Sequence, residues 1–286
     1  MTRRVVVTDY TFPSLHQEEA AASAAGAAFA AHQAKGADAV VEAVSGADVA
    51  LVQFAPFTAA AAAAMAEGGT VIRYGVGYDN IDVAAARAAG LRIGYVPDYC
   101  TDEVATHTAA AVLALLRKLL PLERSVRAGA WTAVATARPI KPADETVVGF
   151  FGLGQIGRAV LSRLKGFGFR FMAADPMLTE ADAAALGVTC VSAEALLQEA
   201  DIISLHAPAT EATTGFFNAA RLATMQPHAM LVNSARGQLI NEADLAAALG
   251  EGVIGGAALD VFETEPLPAG SPLREAPNLI LTPHAA

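Results

Sequence analysis

TVVGFFGLGQIGRAV, residues 146–160, passes from an apolar run through three glycines into a helical pattern. Gly152, Gly154 and Gly157 stand in the order G-x-G-x-x-G, directly after the expected strand. In such a unit the first glycine permits a tight turn and the second lets backbone amides approach a pyrophosphate. The third lets helix and strand pack closely. The stretch therefore predicts an α/β domain that binds a phosphate group at the amino end of a helix.

Asp175 supports a dinucleotide as the ligand. It ends the next expected strand, FRFMAAD (169–175), 18 positions after Gly157. A carboxylate at that place can accept hydrogen bonds from both hydroxyls of an adenosine ribose. Pro176 follows, and no arginine stands beside it to hold a 2′-phosphate, so the pattern favours NAD over NADP. The alternative is an ordinary turn and a surface aspartate that happen to have this spacing.

Short apolar runs alternate with alanine-rich helical runs along the whole chain. Five strands are expected before residue 98 and six within residues 146–285. This alternation predicts the α/β class, with two doubly wound parallel-sheet domains that divide near residues 98 and 99. Residues 101–129 are expected to form one long linking helix, because their apolar side chains recur at intervals of three and four.

Composition restricts the possible partners and compartments. The 286 residues are 54% hydrophobic and 17% charged, enough for two packed cores, and the net charge of −10 argues against a nucleic-acid partner. No apolar run is long enough to suggest a membrane partner. Cys100 and Cys190 give no disulfide framework, which indicates a cytoplasmic protein. Six scattered histidines show no ligand spacing, so no metal site is expected.

Three successive expected strands end in side chains with complementary chemistry. NSARG (233–237) supplies Arg236, DVFETEP (260–266) supplies the carboxylates Asp260, Glu263 and Glu265, and TPHAA (282–286) supplies His284. A guanidinium can hold a carboxylate through two hydrogen bonds. An imidazole can protonate a carbonyl oxygen, and a neighbouring carboxylate keeps that imidazole charged by raising its pKa. Each residue taken singly could be an ordinary surface group, but together they indicate a dehydrogenase of 2-hydroxy acids.

By these motifs the chain resembles the D-isomer-specific 2-hydroxyacid dehydrogenase family, from its first strand to its last residue. The matching segments are RYGVGYDNID (73–82), GLGQIG (152–157), HAPAT (206–210), NSARG, DVFETEP and TPHAA. The spacings of 29 positions from Arg236 to Glu265, and of 19 from there to His284, are similar to the family pattern. The resemblance implies a flavodoxin-like substrate domain in residues 1–98 and a Rossmann NAD-binding domain in residues 99–286.

The resemblance also implies roles for single residues. Arg236 would bind the substrate, His284 would be the acid/base and Glu265 its partner. The residues expected at the cofactor are Gly152, Gly154, Gln155, Ile156 and Gly157 at the pyrophosphate, Asp175 at the ribose, His206, Ala207 and Pro208 beside the adenosine, and Ser234, Ala235, Asp260 and Val104 at the nicotinamide end.

The RYGVGYDNID segment is expected to bind the substrate carboxylate through the amides of Val76 and Gly77, as the family's equivalent loop does. A strand-to-helix turn in which Asp79 or Asn80 caps the next helix is the other interpretation, and both can hold at once. QFAPFT (53–58) lacks the arginine that phosphoglycerate relatives often carry there. With the YCTDEV segment, these features resemble the branch of the C-terminal-binding-protein corepressors and related bacterial enzymes.

The sequence thus predicts a cytoplasmic, NAD-dependent D-2-hydroxyacid dehydrogenase that reduces a small 2-keto acid such as glyoxylate or hydroxypyruvate. A formate dehydrogenase would pair its histidine with glutamine, where this chain has Glu265. The alternative function is a protein on the same fold that senses NAD(H) with little turnover.

The family usually continues past TPHAA with a helix of the first domain, which is expected to be absent from this chain. The apolar stripe of residues 102–120 predicts a homodimer. Trp131 is expected to pack rather than to take part in chemistry.

Overall fold

The computed structural model describes residues 2–137 and 140–286. The chain divides between Cys100 and Thr101 into two compact units, two residues beyond the expected boundary. The strands of the first unit are β1 (Arg4–Val7), β2 (Ala28–Ala31), β3 (Val49–Val52), β4 (Thr70–Arg73) and β5 (Arg92–Tyr95). Its helices are α1 (His16–Ala24), α2 (Ala37–Val44), α3 (Ala59–Ala64) and α4 (Val83–Ala88).

The first sheet is parallel and has the strand order β2-β1-β3-β4-β5. This is the flavodoxin-like order, so the expected fold class of this unit is confirmed. Valines on the central strands, such as Val6, Val52 and Val71, are fully buried between the helical layers. The expected helix cap was wrong: α4 is capped by Asp82, whose carboxylate accepts the Ala85 amide at 2.9 Å.

The second unit contains seven parallel strands in the order β12-β11-β10-β9-β6-β7-β8. They are β6 (Val147–Phe151), β7 (Arg170–Ala174), β8 (Thr189–Cys190), β9 (Ile202–Leu205), β10 (Met230–Asn233), β11 (Gly256–Leu259) and β12 (Leu279–Leu281). The helices are α5 (Thr101–Leu116), α6 (Leu119–Arg127), α7 (Ala133–Ala137), α8 (Gln155–Leu164), α9 (Glu180–Leu186), α10 (Ala193–Glu199), α11 (Ala219–Leu222) and α12 (Glu242–Gly250). The order is that of a Rossmann sheet with one further strand, so the second expected fold is also confirmed.

The prediction of one long helix over residues 101–129 was wrong. The helix ends at Leu116, Lys118 adopts a left-handed conformation with φ 53°, and α6 continues at 61° to α5. Pro121 explains the break, because in a continuous helix it would lose one hydrogen bond and clash with the Arg117 carbonyl. A new helix that begins at Leu119 places the proline in a first turn, where an amide hydrogen has no intrahelical partner.

The apolar face of α5 is covered by its own unit. The helix packs on α8 and on β10 and β11. Six of its residues are buried: Val104, Ala105, Thr108, Ala109, Val112 and Leu115. Within the described residues no single helix has both the length and the apolar character needed to cross a membrane. The bent pair α5–α6 meets that test by length and composition.

A buried ionic network closes the amino-terminal side of the second sheet. Asp201, 3% exposed, accepts Lys141 Nζ at 2.8 Å, His228 Nε2 at 2.5 Å and the Val147 amide at 2.8 Å. Burial by itself would raise the pKa of Asp201. The hydrogen bonds from Lys141, Val147 and His228 outweigh it and hold the pKa below its ordinary value of 3.8.

Because the folded state lowers the pKa of Asp201, its carboxylate stabilises the fold above the ordinary pKa, and this contribution is lost as pH falls through the folded value. We expect Asp201→Asn to reduce the free energy of unfolding by roughly 1–3 kcal/mol at pH 7. The difference from wild type should shrink below about pH 4. Urea unfolding at pH 7 and pH 3 measures both, with the exposed Asp144→Asn as the control. Equal stability of the Asp201 and Asp144 variants at pH 7 would contradict the network's role.

Candidate active site

The glycine-rich loop is shaped by the backbone that follows β9. Gly152 has φ 87°, and a Cβ there would lie 2.8 Å from the Ala207 nitrogen. A Cβ at Gly157 would lie 3.1 Å from the Gly152 oxygen and 3.4 Å from the His206 ring. Gly154 differs, because no described atom lies within 4 Å of a Cβ built there. The first and third glycines are therefore required by packing, and the second faces open space.

The amino end of α8 opens toward that space. Its N-cap is Gly154, and no side chain of the described residues caps the helix. The first amides of the helix, including those of Gln155 and Ile156, carry the positive end of the helix dipole. The expected pyrophosphate fits here, because an anion would supply the acceptors that these amides need.

Asp175 is held against the same loop. Its two carboxylate oxygens accept the Leu153 amide at 2.7 Å and the Met177 amide at 2.8 Å. A carboxylate has about four lone-pair sites, so each oxygen can still accept a ribose hydroxyl. Arg158 donates Nε to the Leu153 carbonyl at 3.1 Å. The structure thus places on this loop a guanidinium that the sequence neighbourhood of Asp175 did not suggest.

His206 packs beside the glycine loop as an uncharged ring. Its Nε2 lies 2.9 Å from Ser204 Oγ, and its ring stacks on Phe150 with centroids 5.9 Å apart. Burial lowers the pKa of His206 to about 4. The imidazole is therefore neutral near pH 7 and shapes the loop by packing. The adjoining Ala207 and Pro208 remain predicted neighbours of the adenosine.

Arg236 is presented by a turn that a buried amide organises. Asn233, 1% exposed, accepts the Ala235 amide at 3.0 Å and donates to the Arg236 carbonyl at 2.8 Å. The guanidinium itself donates to the Ala235 carbonyl at 2.6 Å. The sequence motif contained Asn233, but no role was predicted for it, because only the folded turn shows both hydrogen bonds.

Gly237 fixes the turn against the next strand's loop. A Cβ at this position would lie 1.9 Å from the Phe262 carbonyl carbon and 2.3 Å from the Glu263 nitrogen. Both atoms belong to the backbone, so no side-chain movement can relieve the overlap. The loop after β10 and the loop after β11 therefore lie too close together for any side chain at this position. This contact sets the position of Arg236 relative to the segment that carries Glu265.

Glu265 and His284 form the expected pair. His284 Nδ1 lies 2.7 Å from Glu265 Oε2, and Glu265 Oε1 accepts the Phe262 amide at 3.0 Å. Burial would raise the pKa of Glu265, but the hydrogen bonds from His284 and Phe262 outweigh it and lower the pKa below 4.5. Glu265 is therefore ionised near neutral pH. His284 has φ 52°, a sparsely populated conformation of the kind often found at functional sites.

Asp260 anchors the segment on which His284 lies. Its carboxylate, 3% exposed, accepts Thr282 Oγ1 at 2.6 Å and the amides of Ala285 and Ala286 at 2.9 and 3.0 Å. The His284 amide donates to the Asp260 carbonyl at 2.8 Å. Asp260 was expected at the nicotinamide end, and the structure adds this bracing role.

Two further expected cofactor residues meet at α5. Ser234 Oγ lies 2.6 Å from Thr108 Oγ1, which donates to the Val104 carbonyl at 2.7 Å. Val104 is 6% exposed. This chain of hydrogen bonds ties the end of β10 to the helix, while contact of Ser234, Ala235 and Val104 with nicotinamide stays a prediction.

The expected substrate loop lies in the first unit. Within residues 2–137 and 140–286, the half-buried amides of Val76 and Gly77 donate no hydrogen bond to the protein. Gly75, with φ 148°, lies under the Arg73 guanidinium, which a Cβ would meet at a distance far below contact. Both residues are partly exposed, so their amides can bind water or a ligand, and a carboxylate has the right chemistry.

Residues 109–286 match the family model described as D-isomer specific 2-hydroxyacid dehydrogenase, NAD binding domain. This chain belongs to that family. The glycine loop, the uncapped helix end and Asp175 are therefore parts of an NAD-binding domain. With its two α/β units, this D-2-hydroxyacid dehydrogenase family member has the architecture expected from the resemblance.

Relatives of this D-2-hydroxyacid dehydrogenase family member carry several different names. A glyoxylate reductase from Korarchaeum cryptofilum is 40% identical over 218 residues, which cover 76% of this chain and 66% of that protein. A D-3-phosphoglycerate dehydrogenase from Synechocystis sp. is 40% identical over 74% of this chain and 38% of that protein. The crystal structure of the TT0316 protein from Thermus thermophilus superposes with a TM-score of 0.84 at 32% identity, covering 98% and 89% of the two chains. The chain spans less than two thirds of the length of the two curated relatives.

We expect Gly237→Ala to be among the most damaging single-methyl changes in the second unit, because the added carbon overlaps backbone atoms. Overpacking of this kind costs typically 1–3 kcal/mol or more. The thermal midpoint should fall by several degrees. Gly250→Ala is the matched control, since no described atom lies within 4 Å of a Cβ there. A Gly237 variant as stable as the Gly250 variant would show that the two loops can separate freely.

Proposed function

We propose that this protein is an NAD-dependent oxidoreductase that interconverts a 2-keto acid and the D-2-hydroxy acid. The observation that carries the proposal is the hydrogen bond of 2.7 Å between His284 Nδ1 and Glu265 Oε2, at the carboxyl edge of a sheet that also presents Arg236. The names of the relatives, a glyoxylate reductase and a phosphoglycerate dehydrogenase, agree with this reaction class.

In this proposal the hydrogen bond between Nδ1 of His284 and Glu265 orients the imidazole, and Nε2 takes part in the reaction. Glu265 accepts from Nδ1, and we assign to Nε2 of His284 the proton exchange with the substrate oxygen. Because the lowered pKa keeps Glu265 ionised, its negative charge stabilises the protonated imidazole. The reducing equivalent comes from NADH when it is bound.

Arg236 orients the substrate in this mechanism. Its planar guanidinium can bind a carboxylate through two parallel hydrogen bonds, whereas a lysine ammonium is a flexible point charge. The turn that Asn233 and Gly237 stabilise holds the arginine in place before a substrate arrives, so less freedom is lost on binding. The half-buried amides of Val76 and Gly77 are further proposed donors to the substrate.

We expect Arg236→Lys to lower kcat/KM at least tenfold, because one charge-assisted hydrogen bond contributes roughly 1.5–3 kcal/mol. Affinity for NADH, measured by fluorescence titration, should change far less. His284→Ala should lose kcat while it still binds oxamate, an unreactive substrate analogue. Wild-type turnover by Arg236→Lys would contradict the site assignment. If wild type binds NADH but turns over no 2-keto acid, a protein that senses NAD(H) becomes the better description.

Preference for NAD over NADP is the second part of the proposal. The Asp175 carboxylate would repel a 2′-phosphate, but Arg158 of α8 places a cation against the same loop. We expect wild type to favour NADH, and Asp175→Ala to gain on NADPH because the guanidinium then lacks its opposing charge. Adding Arg158→Gln should remove that gain. Comparison of kcat/KM and Kd for both cofactors tests this, and equal use of both by wild type would contradict it.

We further propose that the protein is a homodimer and is cytoplasmic. The apolar stripe of α5 is buried within its own unit and is not available for a dimer contact. The exposed apolar residues lie in the segment that follows α5. No described residue of α6 or α7 is buried, and Leu119, Val126, Trp131 and Val134 are 54%, 53%, 90% and 63% exposed. Trp131 is therefore exposed rather than packed against the part of the chain that the structure describes, and a large apolar surface of this kind indicates a partner. The free thiols Cys100 and Cys190 agree with a reducing compartment.

We expect sedimentation at micromolar concentration to show a dimer. Trp131→Ala combined with Val134→Asp should shift it toward monomer, because both residues are well exposed in the single chain and their substitution should not disturb its fold. Met177→Ala, at a position 85% exposed outside this segment, is the control. A wild-type monomer would exclude the dimer at that concentration.

A further inference from the structure

Two loops at the carboxyl edge of the first sheet, those after β1 and β3, are tied together by one buried carboxylate. Asp9, 8% exposed, follows β1 and accepts the amides of Gln53, Phe54 and Ala55 at 3.0, 2.6 and 3.0 Å. It also accepts Thr8 Oγ1 at 2.8 Å. Three backbone amides on one carboxylate hold the loop after β3 in a single conformation.

Two amide side chains extend this network to its neighbours. Gln53 accepts the Thr11 amide at 2.7 Å and donates to Thr11 Oγ1 at 3.0 Å. Asn80 donates to the carbonyls of Gln53 and Ala55 at 3.3 and 3.0 Å. The loops after β1, β3 and β4 therefore form one rigid surface, and β1, β3 and β4 are adjacent in the sheet.

This rigid surface presents aromatic rings. Phe12 is 37% and Phe54 53% exposed. Phe12 meets the half-buried Tyr74 edge to face, with centroids 5.2 Å apart, and the Arg73 guanidinium lies 5.9 Å from the Phe54 ring centroid. The Tyr74 hydroxyl donates to Glu18 at 3.1 Å, which fixes its ring. Exposed rings on loops that buried polar groups hold in place indicate a surface built to bind.

The same surface carries the unpaired amides. Tyr74 directly precedes the Gly75–Gly77 turn in which the Val76 and Gly77 amides lack a protein acceptor within the described residues. Asn80, which follows that turn, holds the loop that carries Phe54. An anion-binding turn and an aromatic surface are thus joined by the same hydrogen bonds.

We propose that Phe12, Phe54 and Tyr74 bind the substrate side chain, and that the substrate is a 2-keto acid bearing an aromatic ring. This inference rests on the proposed function and names its substrate class. Glyoxylate has only a hydrogen at that position and would leave the rings exposed to water. An aryl side chain would bury them and pack edge to face or offset against them. Phe12 and Phe54 are specificity-determining residues in this proposal, not catalytic ones.

Turnover of phenylpyruvate, 4-methyl-2-oxopentanoate, pyruvate and glyoxylate with NADH tests this proposal. We expect kcat/KM for phenylpyruvate to exceed that for glyoxylate by about 100-fold or more. Phe54→Ala should reduce this ratio about tenfold, and Phe12→Ala should reduce it in the same direction. Phe167→Ala removes a ring of similar exposure, 49%, from the second unit and should leave the ratio unchanged.

Binding without turnover separates this inference from the proposed function. Calorimetry of the full chain with NADH, which cannot react with a hydroxy acid, should show tighter binding of D-phenyllactate than of D-lactate, with the difference reduced in Phe54→Ala. If glyoxylate is the best substrate, the aromatic inference is wrong and the proposed reaction stands. If no 2-keto acid reacts but phenyllactate still binds through Phe54, the surface is assigned correctly and the reaction is not. The inference is overturned if D-phenyllactate and D-lactate bind equally well and phenylpyruvate and glyoxylate are turned over equally well or not at all.

Discussion

The close approach of two backbones at Gly237 is the constraint on which the arrangement of Arg236, Glu265 and His284 depends. A Cβ there would overlap Phe262 and Glu263, so only glycine permits this close approach of the loops after β10 and β11. Arg236 precedes this crossing, and the Phe262 amide binds Glu265, which in turn pairs with His284. The absence of a side chain at Gly237 thus helps to set the relative positions of the proposed substrate-binding and proton-transferring groups. Pre-organisation of this kind lowers the entropy lost on the way to a transition state.

Buried carboxylates perform the same task in three places. Asp260 fixes the segment that carries His284, Asp9 fixes the loops of the first unit, and Asp201 joins strand ends on the opposite side of the second sheet. Burial of a charge is costly unless hydrogen bonds replace its water. Each of these three aspartates accepts at least one backbone amide. The desolvation cost is thereby offset, and the loops gain one defined conformation.

Long periodic signals in the sequence predicted most of the fold. Alternating strands and alanine-rich helices predicted both doubly wound sheets, and G-x-G-x-x-G with Asp175 predicted the dinucleotide motif. Single residues with competing local preferences caused the errors. The apolar period suggested a helix through residues 101–129, but Pro121 forces a new helix to begin at Leu119. Asp79 and Asn80 were equally plausible helix caps from the sequence. In the structure Asp82 caps α4, and the Asn80 side chain donates to the Ala55 carbonyl in the loop after β3.

The sequence by itself determined which residues end the strands, and therefore that Arg236, Glu265 and His284 lie along one edge of a parallel sheet. This follows because strand direction and side-chain type are local properties of the chain. Only the tertiary structure decided how these side chains are held. Asp260 and Asp9 act through partners up to 26 and 46 positions away, and Asn233 and Arg158 through partners within 5 positions. Such hydrogen bonds depend on which loops come into contact, and the order of the strands in the sheet determines those contacts.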